Sequence, residues 1–352
     1  MNGAILNAWP SVVVSRGNEW QSAITLELTA LPEKIEFAEM TGNTHTALGL
    51  EPESAGNLAA GLRDLLKDTY RYRFTLHGVG LVMAADDIVV ADGLIRLVRV
   101  HPGDHTRPGT TQEHPLQVHL DVFTEYPLQG PPYGDPNGDP NGDPVDIQQR
   151  PGLPATVTFR FSRKPLQSLF QGARIGVDPG HGGKDKGIRG PVDLTEKYVT
   201  LEISRELCSL LELSGAYPVV TRTGDVDLTQ KDRIQVLKAG HPVLCVEIHA
   251  SGSDNPLAQV YRVAARQDCS DSALLANEVA SALRERMGIR PEPDVLPAQP
   301  GLDVPFIRVE PLCLTYFADE ANFRAPLFRK RLGQSIYNGI ARYLHRVKTR
   351  QP

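Results

Sequence analysis

The sequence predicts two domains of different class, an all-β, sandwich-like N-terminal domain over residues 1–172 and an α/β domain over residues 173–352. The first half alternates polar and apolar residues with a period of two, which is typical of strands that bury one face. The second half alternates short apolar strands with amphipathic helices, which predicts a mostly parallel sheet flanked by helices. A chain of 352 residues is long enough for two separate cores.

The N-terminal strands are clearest in TYRYRFTLH, LQVHLDVF and ATVTFRFS. In the first of these, one face carries Tyr70, Tyr72, Phe74 and Leu76, and the other carries Arg71, Arg73, Thr75 and His77. Short strands separated by turn residues predict an antiparallel sandwich. One short helix is expected near residues 57–67.

A low-complexity stretch interrupts this domain at residues 130–150, with three copies of Gly-Asp-Pro between Gly134 and Pro144. Asp-Pro and Asn-Gly steps form turns, and the stretch has nothing to bury. A calcium loop would need a regular alternation of oxygen ligands and a closing bidentate acid, which the stretch lacks. We therefore expect an extended or disordered loop.

The C-terminal domain is predicted to begin with the strand ARIGVD and a glycine-rich loop. Its first helix begins at Glu196, after a capping Thr195, and ends at Gly215. Later strands are predicted in YPVVTRTG, PVLCVEIHA, QVYRVAA and PFIRVEPLCL, and later helices in TQKDRIQVLKAG, SDSALLANEVASALRERMG and APLFRKRLGQSIYNGIARYLHRVK. In parallel sheets, chemistry gathers beyond the carboxyl ends of the strands.

Composition excludes some classes of function. The net charge of −5 argues against a general nucleic-acid binder. No apolar run is long enough for a membrane span, and the first residues show no signal peptide. All four cysteines lie in the second half without a CxxC pair, and we interpret them as buried free thiols.

Three residues of the second half form a candidate metal set: His181 in the loop VDPGHGGKD, Glu196 at a helix start, and His249 at the end of PVLCVEIHA. Two imidazoles and one carboxylate make the open, three-ligand set of a catalytic zinc. Each residue alone has an ordinary explanation, either a hydrogen-bonded structural histidine or an acid near a helix dipole. Their separations match no local zinc signature, so the residues alone leave the zinc site a hypothesis.

Five segments in order carry a family resemblance: VDPGHGGKDKG, EKYVTLEISRELCSLLELSG, VVTRTGDVDL, DRIQVLKAG and VEIHASG. Together they resemble the zinc-dependent N-acetylmuramoyl-L-alanine amidases, which are cell-wall amidases with a phosphorylase/hydrolase-like α/β fold. The resemblance covers residues 173 to about 348. It implies one Zn²⁺ per chain, with His181, Glu196 and His249 as the ligands.

The resemblance also assigns a catalytic acid. The stretch VPFIRVEPLCLTYFADEANF matches the family region that carries a glutamate at the scissile amide, which implies this role for Glu310. Without the resemblance, Glu310 reads as a strand-end acid paired with an arginine. The implied mechanism is hydrolysis by zinc-activated water, with Glu310 taking the proton of the water and returning it to the leaving amine.

Other residues near these motifs have supporting roles in the prediction. Asp178 either orients an imidazole or caps the loop, and Arg222 and Arg233 are expected to brace loops rather than touch substrate. The sequence departs from the usual family pattern after His249 and after Glu310. The stretch Asn255–Gln259 is too short for the blocking helix of some relatives, which predicts an unblocked site.

The function implied by the resemblance is peptidoglycan hydrolysis, at the amide between the lactyl group of N-acetylmuramic acid and L-alanine of the stem peptide. Two alternatives remain: a zinc peptidase or amidase with another substrate, and a non-catalytic cell-wall-binding protein. The N-terminal domain is similar in layout to envelope-localising β domains, which implies envelope components as partners. The implied location is the cell envelope, extracellular or periplasmic.

Overall fold

The computed structural model of this chain describes residues 3–14, 20–40, 66, 69–82, 86–103, 116–128, 145–298 and 301–350. The helix expected near residues 57–67, apart from the helical Leu66, and the Gly-Asp-Pro repeats lie outside the described residues. The loop expected at residues 130–150 is wrong at its end, because residues 145–150 form a strand. The chain divides into two compact units, Met1–Leu166 and Gln167–Pro352. The division falls a few residues before the expected boundary at 172.

Ten strands are described in the N-terminal unit. They are β1 (Gly3–Val14), β2 (Trp20–Leu28), β3 (Lys34–Met40), β4 (Tyr70–His77), β5 (Val79–Leu81), β6 (Asp86–Val89), β7 (Ile95–Pro102), β8 (Gln117–Thr124), β9 (Val145–Arg150) and β10 (Ala155–Ser162). They form two five-stranded sheets, with strand orders β5-β1-β2-β10-β9 and β3-β4-β8-β7-β6. Pairing is antiparallel, as expected, except between β1 and β5, which run parallel at one edge.

The core of the N-terminal unit lies between the two sheets. Val157, Phe159 and Phe161 of β10 are fully buried, and they alternate with partly exposed residues. The Phe74 ring of β4, in the other sheet, lies 4.8 Å from the Phe159 ring and 6.0 Å from the Phe161 ring between centroids. The period-two pattern therefore marks the buried face of β10. At the start of β4 the pattern fails, since Tyr70 is exposed and Arg71 is buried. The sandwich-like architecture is confirmed.

The C-terminal unit alternates strands and helices. Its elements are β11 (Arg174–Pro179), α2 (Glu196–Leu213), β12 (Tyr217–Val220), α3 (Gln230–Gly240), β13 (Leu244–Ile248), β14 (Arg262–Arg266), α4 (Ser270–Met287), β15 (Glu292–Leu296), β16 (Phe306–Glu310), α5 (Phe317–Phe323) and α6 (Pro326–Arg350), and α1 (Lys164–Phe170) precedes them. The sequence did not indicate α1, β15 or α5. They are short, and β15 is mostly exposed and contains Pro293, so no burial pattern marks it.

A six-stranded sheet organises this unit, with the order β12-β11-β13-β16-β14-β15. The first four strands run parallel, whereas β14 is antiparallel to β16. The expected mostly parallel α/β sheet is therefore confirmed. Because of these directions, the carboxyl ends of β11, β13 and β16 and the start of β14 meet at one edge of the sheet.

The helices pack in the expected amphipathic manner. Helices α2 and α4 both contact α6, whereas α3 contacts β11 and β12. Gly339 of α6 permits a close helix approach, because a Cβ there would lie 2.4 Å from the Val279 Cα of α4. Helix α2 begins after Thr195 as expected, but the Thr195 side chain makes no capping hydrogen bond. Gly215 follows the helix in a left-handed conformation with φ of 80°, as its position predicts.

The four cysteines are free thiols. Cys245 and Cys313 are buried, as expected, but Cys208 and Cys269 are only partly buried. Cys269 lies at the first position before α4, where a helix N-terminus meets solvent. The expectation of four buried thiols is therefore wrong for two of them.

Candidate metal centre

The glycine-rich loop after β11 delivers His181 to the edge of the sheet. His181 itself has a left-handed backbone with φ of 61°. The preceding Gly180 packs directly against the ring of His249, since a Cβ at Gly180 would lie 2.4 Å from His249 Cε1. Gly187 is similarly enclosed, because its Cβ would lie 2.6 Å from Glu196 Oε2. These glycines allow the loop backbone to close around the three candidate ligands.

Two buried arginines hold the loop in this shape. Arg233 donates hydrogen bonds to the carbonyl oxygens of Pro179 and His181, each at 2.6 Å. Arg222 donates to the carbonyl oxygens of Pro179 at 3.0 Å and Gly180 at 2.7 Å. Both guanidinium groups therefore satisfy loop carbonyls, which is a bracing role.

Asp178 lies below the loop and is almost fully buried. Its carboxylate accepts hydrogen bonds from the Thr221 hydroxyl and from Arg233. Burial raises its pKa, and the nearby charge of Arg233 only partly opposes this. These two partners are a hydroxyl and a guanidinium group, and neither is an imidazole.

The imidazoles find their carboxylate acceptors elsewhere. His181 Nδ1 lies 2.8 Å from Asp185 Oδ2. His249 Nε2 lies 3.2 Å from Glu247 Oε1. Each ring thus has one nitrogen against a carboxylate, which leaves its other nitrogen to face Glu196.

Glu196 is the centre of the cluster. It is the first residue of α2, and only 2% of it is exposed. Its two oxygens accept backbone hydrogen bonds from Ile188 and Ala250, both at 2.9 Å. Burial alone would raise its pKa, but hydrogen bonds to His181 and His249 hold the pKa well below its usual range. Glu196 is therefore a carboxylate at neutral pH.

The three candidate ligands come together as the sequence predicted. Glu196 Oε2 lies 3.1 Å from His181 Nε2, and Glu196 Oε1 lies 2.9 Å from His249 Nδ1. One ligand atom from each residue can be chosen so that all lie within 4.8 Å of one another. This donor set, with an outer carboxylate on each imidazole, fits a zinc ion.

The histidines are basic in this arrangement. Burial lowers the pKa of His249, but hydrogen bonds to Glu196 and Glu247 outweigh it and raise the pKa to about 9. The hydrogen bond to Glu196 also raises the pKa of His181. Because a metal binds only the deprotonated nitrogen, the affinity of the site for zinc should fall as the pH is lowered.

Glu310 ends β16 beside this cluster. The backbone N–H of His249 donates to the carbonyl oxygen of Val309 at 3.0 Å, which places Glu310 next to His249 across the sheet. Glu310 Oε2 accepts a hydrogen bond from Arg262 Nη1 at 3.1 Å. Its Oε1 makes no hydrogen bond within the described part of the chain.

The described loop that connects β13 to β14 carries no inserted helix. Residues 249–261, which connect β13 to β14 and are all described, form turns and extended segments without a helix.

The loop before Glu196 is held by Glu320 of α5, which is fully buried. Its carboxylate accepts the backbone N–H groups of Val192 at 2.7 Å and Leu194 at 2.9 Å.

The sequence reasoning missed four of these residues: Asp185, Glu247, Arg262 and Glu320. One of them carried a usable signal, since Glu247 is an acid inside a strongly apolar strand and shares a face with His249 two residues later. Arg262 carried none, because its pairing with Glu310 depends on the reversed direction of β14.

Comparisons with known proteins agree on one family for this unit. A family profile described as N-acetylmuramoyl-L-alanine amidase matches residues 175–342. The chain is 27% identical to the N-acetylmuramoyl-L-alanine amidase LytC of Bacillus subtilis over 183 residues, which are 51% of this chain and 37% of that protein. It is 35% identical to the N-acetylmuramoyl-L-alanine amidase AmiA of Escherichia coli over 114 residues, which are 32% of this chain and 39% of that protein. The matches thus span less than half of either relative.

Solved structures of similar proteins include the N-acetylmuramoyl-L-alanine amidase AmiC2 of Nostoc punctiforme. It shares 27% identity with this chain, with a TM-score of 0.45, and the match covers 49% of this chain and 97% of that one.

Proposed function

Since residues 175–342 belong to the N-acetylmuramoyl-L-alanine amidase family, we propose that the C-terminal unit is a zinc-dependent peptidoglycan hydrolase. It cleaves the amide between the lactyl group of N-acetylmuramic acid and L-alanine of the stem peptide. His181, Glu196 and His249 hold the zinc ion, and Glu310 is the general base and acid.

One observation carries this proposal: two imidazoles and a buried carboxylate converge at the sheet edge where Glu310 ends its strand. The three ligand atoms lie within 4.8 Å of one another although the residues are far apart in the chain. A purely structural role would not require the cluster to reach solvent, yet the side chains of His181, His249 and Glu310 are all partly exposed. Hydrolysis does require this exposure, because water and the amide must both reach the cluster.

Different residues of this chain have different roles in the proposed reaction. A bound zinc ion supplies Lewis acidity, which polarises an amide carbonyl and lowers the pKa of water in the site. Glu310 accepts the proton of the attacking water at Oε1 and delivers it to the departing amine. Arg262 holds the other carboxylate oxygen of Glu310 at 3.1 Å, which fixes the direction of the accepting atom. Asp185 and Glu247 each lie beside the ring nitrogen of His181 or His249 that does not face Glu196, and so hold the two rings in place.

The substrate class fixes the proposed location. Peptidoglycan lies outside the cytoplasmic membrane, so we assign the protein to the cell envelope. None of the described helices is both long and apolar enough to cross a bilayer. The N-terminal β unit is proposed to bind envelope components and to bring the catalytic unit to its substrate.

Purified protein tests the proposal directly. Wild type should contain about one zinc per chain by elemental analysis and should release soluble peptides with free L-alanine amino ends from purified peptidoglycan. His249→Ala should lose both the zinc and the peptide release. Glu310→Gln should keep its zinc and lose peptide release, because only the proton acceptor is removed.

Glu292→Gln is the matched control, since Glu292 is an exposed glutamate on an edge strand of the same sheet. It should retain both zinc and activity. Zinc without peptide release would favour another amide substrate, and neither zinc nor release would favour the non-catalytic wall-binding alternative.

A further inference from the structure

Glu247 is a charged residue in the middle of the central sheet. It lies on β13, two residues before His249, and its side chain is 4% exposed. The other residues of this strand, Leu244, Cys245, Val246 and Ile248, are apolar and fully buried. Burial of a carboxylate is unfavourable unless it is paired, so its position needs a reason.

The structure supplies two partners for this carboxylate. Arg308 of β16 lies opposite Glu247 in the parallel register. Arg308 Nε donates to Glu247 Oε2 at 2.8 Å, and Nη2 lies 3.3 Å from Oε1. The second partner is His249 Nε2, 3.2 Å from Oε1. The guanidinium fork therefore fixes the carboxylate, and the carboxylate faces one nitrogen of the ring.

We propose that Glu247, held by Arg308, is a positioning residue that sets both the tautomer and the orientation of His249. The Nε2–H group donates to Glu247, so Nδ1 is the nitrogen presented to the metal beside Glu196. This inference rests on the proposed function, because it assumes that the cluster binds zinc.

The two histidines are consequently unlike ligands. His181 has Nδ1 against Asp185 and presents Nε2, whereas His249 has Nε2 against Glu247 and presents Nδ1. The outer acceptor of His181 is exposed, with 62% of the Asp185 side chain accessible, whereas that of His249 is buried. The buried acceptor cannot be replaced by water, so the tautomer of His249 depends on Glu247 more strongly than that of His181 depends on Asp185.

An ion pair that served only to stabilise the sheet would not need this geometry. Arg308 and Glu247 would satisfy each other wherever they stood on the two strands. Instead, the pair lies where the alternation of side chains along β13 points Glu247 and His249 to the same face. The Glu247 carboxylate therefore lies beside the His249 ring without a distortion of the backbone between them.

The tautomer of His249 is measurable in the wild-type protein. Zinc-loaded protein labelled with ¹⁵N in histidine should show, for His249, a protonated Nε2 and a metal-shifted Nδ1 in long-range ¹H–¹⁵N spectra. The His249 ring signals are assigned through couplings to its sequentially assigned backbone, because His249→Ala would also lose the zinc and with it the metal shift of His181. Ligation of His249 through Nε2 would overturn the proposal, and this measurement needs no substitution at Glu247.

A variant measures the contribution to metal binding. Glu247→Gln keeps the shape but removes the charge, and loss of such an outer partner lowers metal affinity by about 10–100-fold. The zinc dissociation constant is measured by competition with a chromophoric chelator, and the melting temperature of the metal-free protein is measured beside it. An affinity within twofold of wild type, in a variant that folds, would overturn the proposal.

Glu285→Gln is the matched control for the loss of an arginine-paired glutamate. Glu285 of α4 accepts hydrogen bonds from Arg342 at 3.0 Å and 2.5 Å, and its side chain is largely buried. This variant should keep the zinc affinity of wild type, whatever it loses in stability. An equal loss of affinity in both variants would identify a general effect of stability and reject a positioning role.

The failure of the inference is distinguishable from failure of the proposed function. Wild-type protein that binds no zinc contradicts the proposed function, and the inference falls with it. Wild-type protein that binds zinc and releases peptides, with His249 ligated through Nε2, contradicts the inference alone.

Discussion

Gly180 offers a way to disturb the metal centre without substituting any of the three candidate ligands. In Gly180→Ala, the new Cβ would lie 2.4 Å from His249 Cε1 and 2.5 Å from His249 Nε2. The backbone of Gly180 is not left-handed, so alanine is compatible with its conformation. The collision with the imidazole is therefore the main consequence of the substitution.

The structure gives the size of the displacement. Carbon atoms in contact are about 3.5–4.0 Å apart, so the ring must withdraw by about 1 Å or more. Zinc–nitrogen bonds are about 2.0–2.1 Å long and tolerate deviations of about 0.2 Å. A shift about five times larger than this tolerance removes His249 from the ligand set. We expect zinc affinity to fall at least about 100-fold, which corresponds to about 2.7 kcal/mol.

A chelator competition titration measures this change, and the melting temperature of the metal-free protein reports separately on folding. Gly224→Ala is the control, because a Cβ at Gly224 would meet nothing within 4 Å. It should bind zinc like wild type. Full zinc occupancy in Gly180→Ala with an affinity within twofold of wild type would show that the packing between Gly180 and His249 does not constrain the ring.

Three further predictions concern stability. Both tryptophans lie in the N-terminal unit, so tryptophan fluorescence during denaturant unfolding reports on that unit. Burial raises the pKa of Asp121, but hydrogen bonds to His101 and two arginines outweigh burial and hold the pKa well below its usual range. The free energy of unfolding should therefore fall as the pH drops below about 4. The variant Asp121→Asn should lose that pH dependence. Phe74→Ala should lower the free energy of unfolding of the same unit by about 3–5 kcal/mol, and a loss below 1 kcal/mol would contradict its place in the core. Glu320→Gln places an amide donor against the N–H groups of the loop at residues 190–194. This substitution should lower the free energy of unfolding of the C-terminal unit by about 1–3 kcal/mol. Denaturant unfolding followed by far-UV circular dichroism measures the change.

Local patterns were sufficient for most elements of the fold. The period of two in ATVTFRFS follows from one buried face of β10, and the helical period after Glu196 follows from the buried face of α2. Elements without a buried face of their own were missed. The edge strand β15 is exposed at four of its five residues, so hydrophobic periodicity has nothing to mark there.

The environment of the site was less accessible from the sequence. The ligands were found because residue type, position after a strand or at a helix start, and the family resemblance agree on His181, Glu196 and His249. Their supporting residues were not found, although Glu247 carried a signal as an acid in an apolar strand two residues before His249, whereas Arg262 has the pattern of an ordinary strand residue. Asp178 illustrates the difficulty, because an acid next to the loop does not show whether it faces an imidazole or an arginine.

The sequence by itself determined the two classes of domain, the order of the main elements and the identity of the three candidate ligands. The domain classes and the order of the elements follow from patterns that are local in the chain, such as periodicity, capping residues and glycine positions, whereas the identity of the ligands also needed the family resemblance. Only the tertiary structure decided which nitrogen of each histidine faces Glu196, which carboxylates support the rings, and that Arg262 contacts Glu310. Those contacts join β11, β13, β14, β16 and α2, and they depend on strand order, direction and register, which are set by packing of the whole sheet.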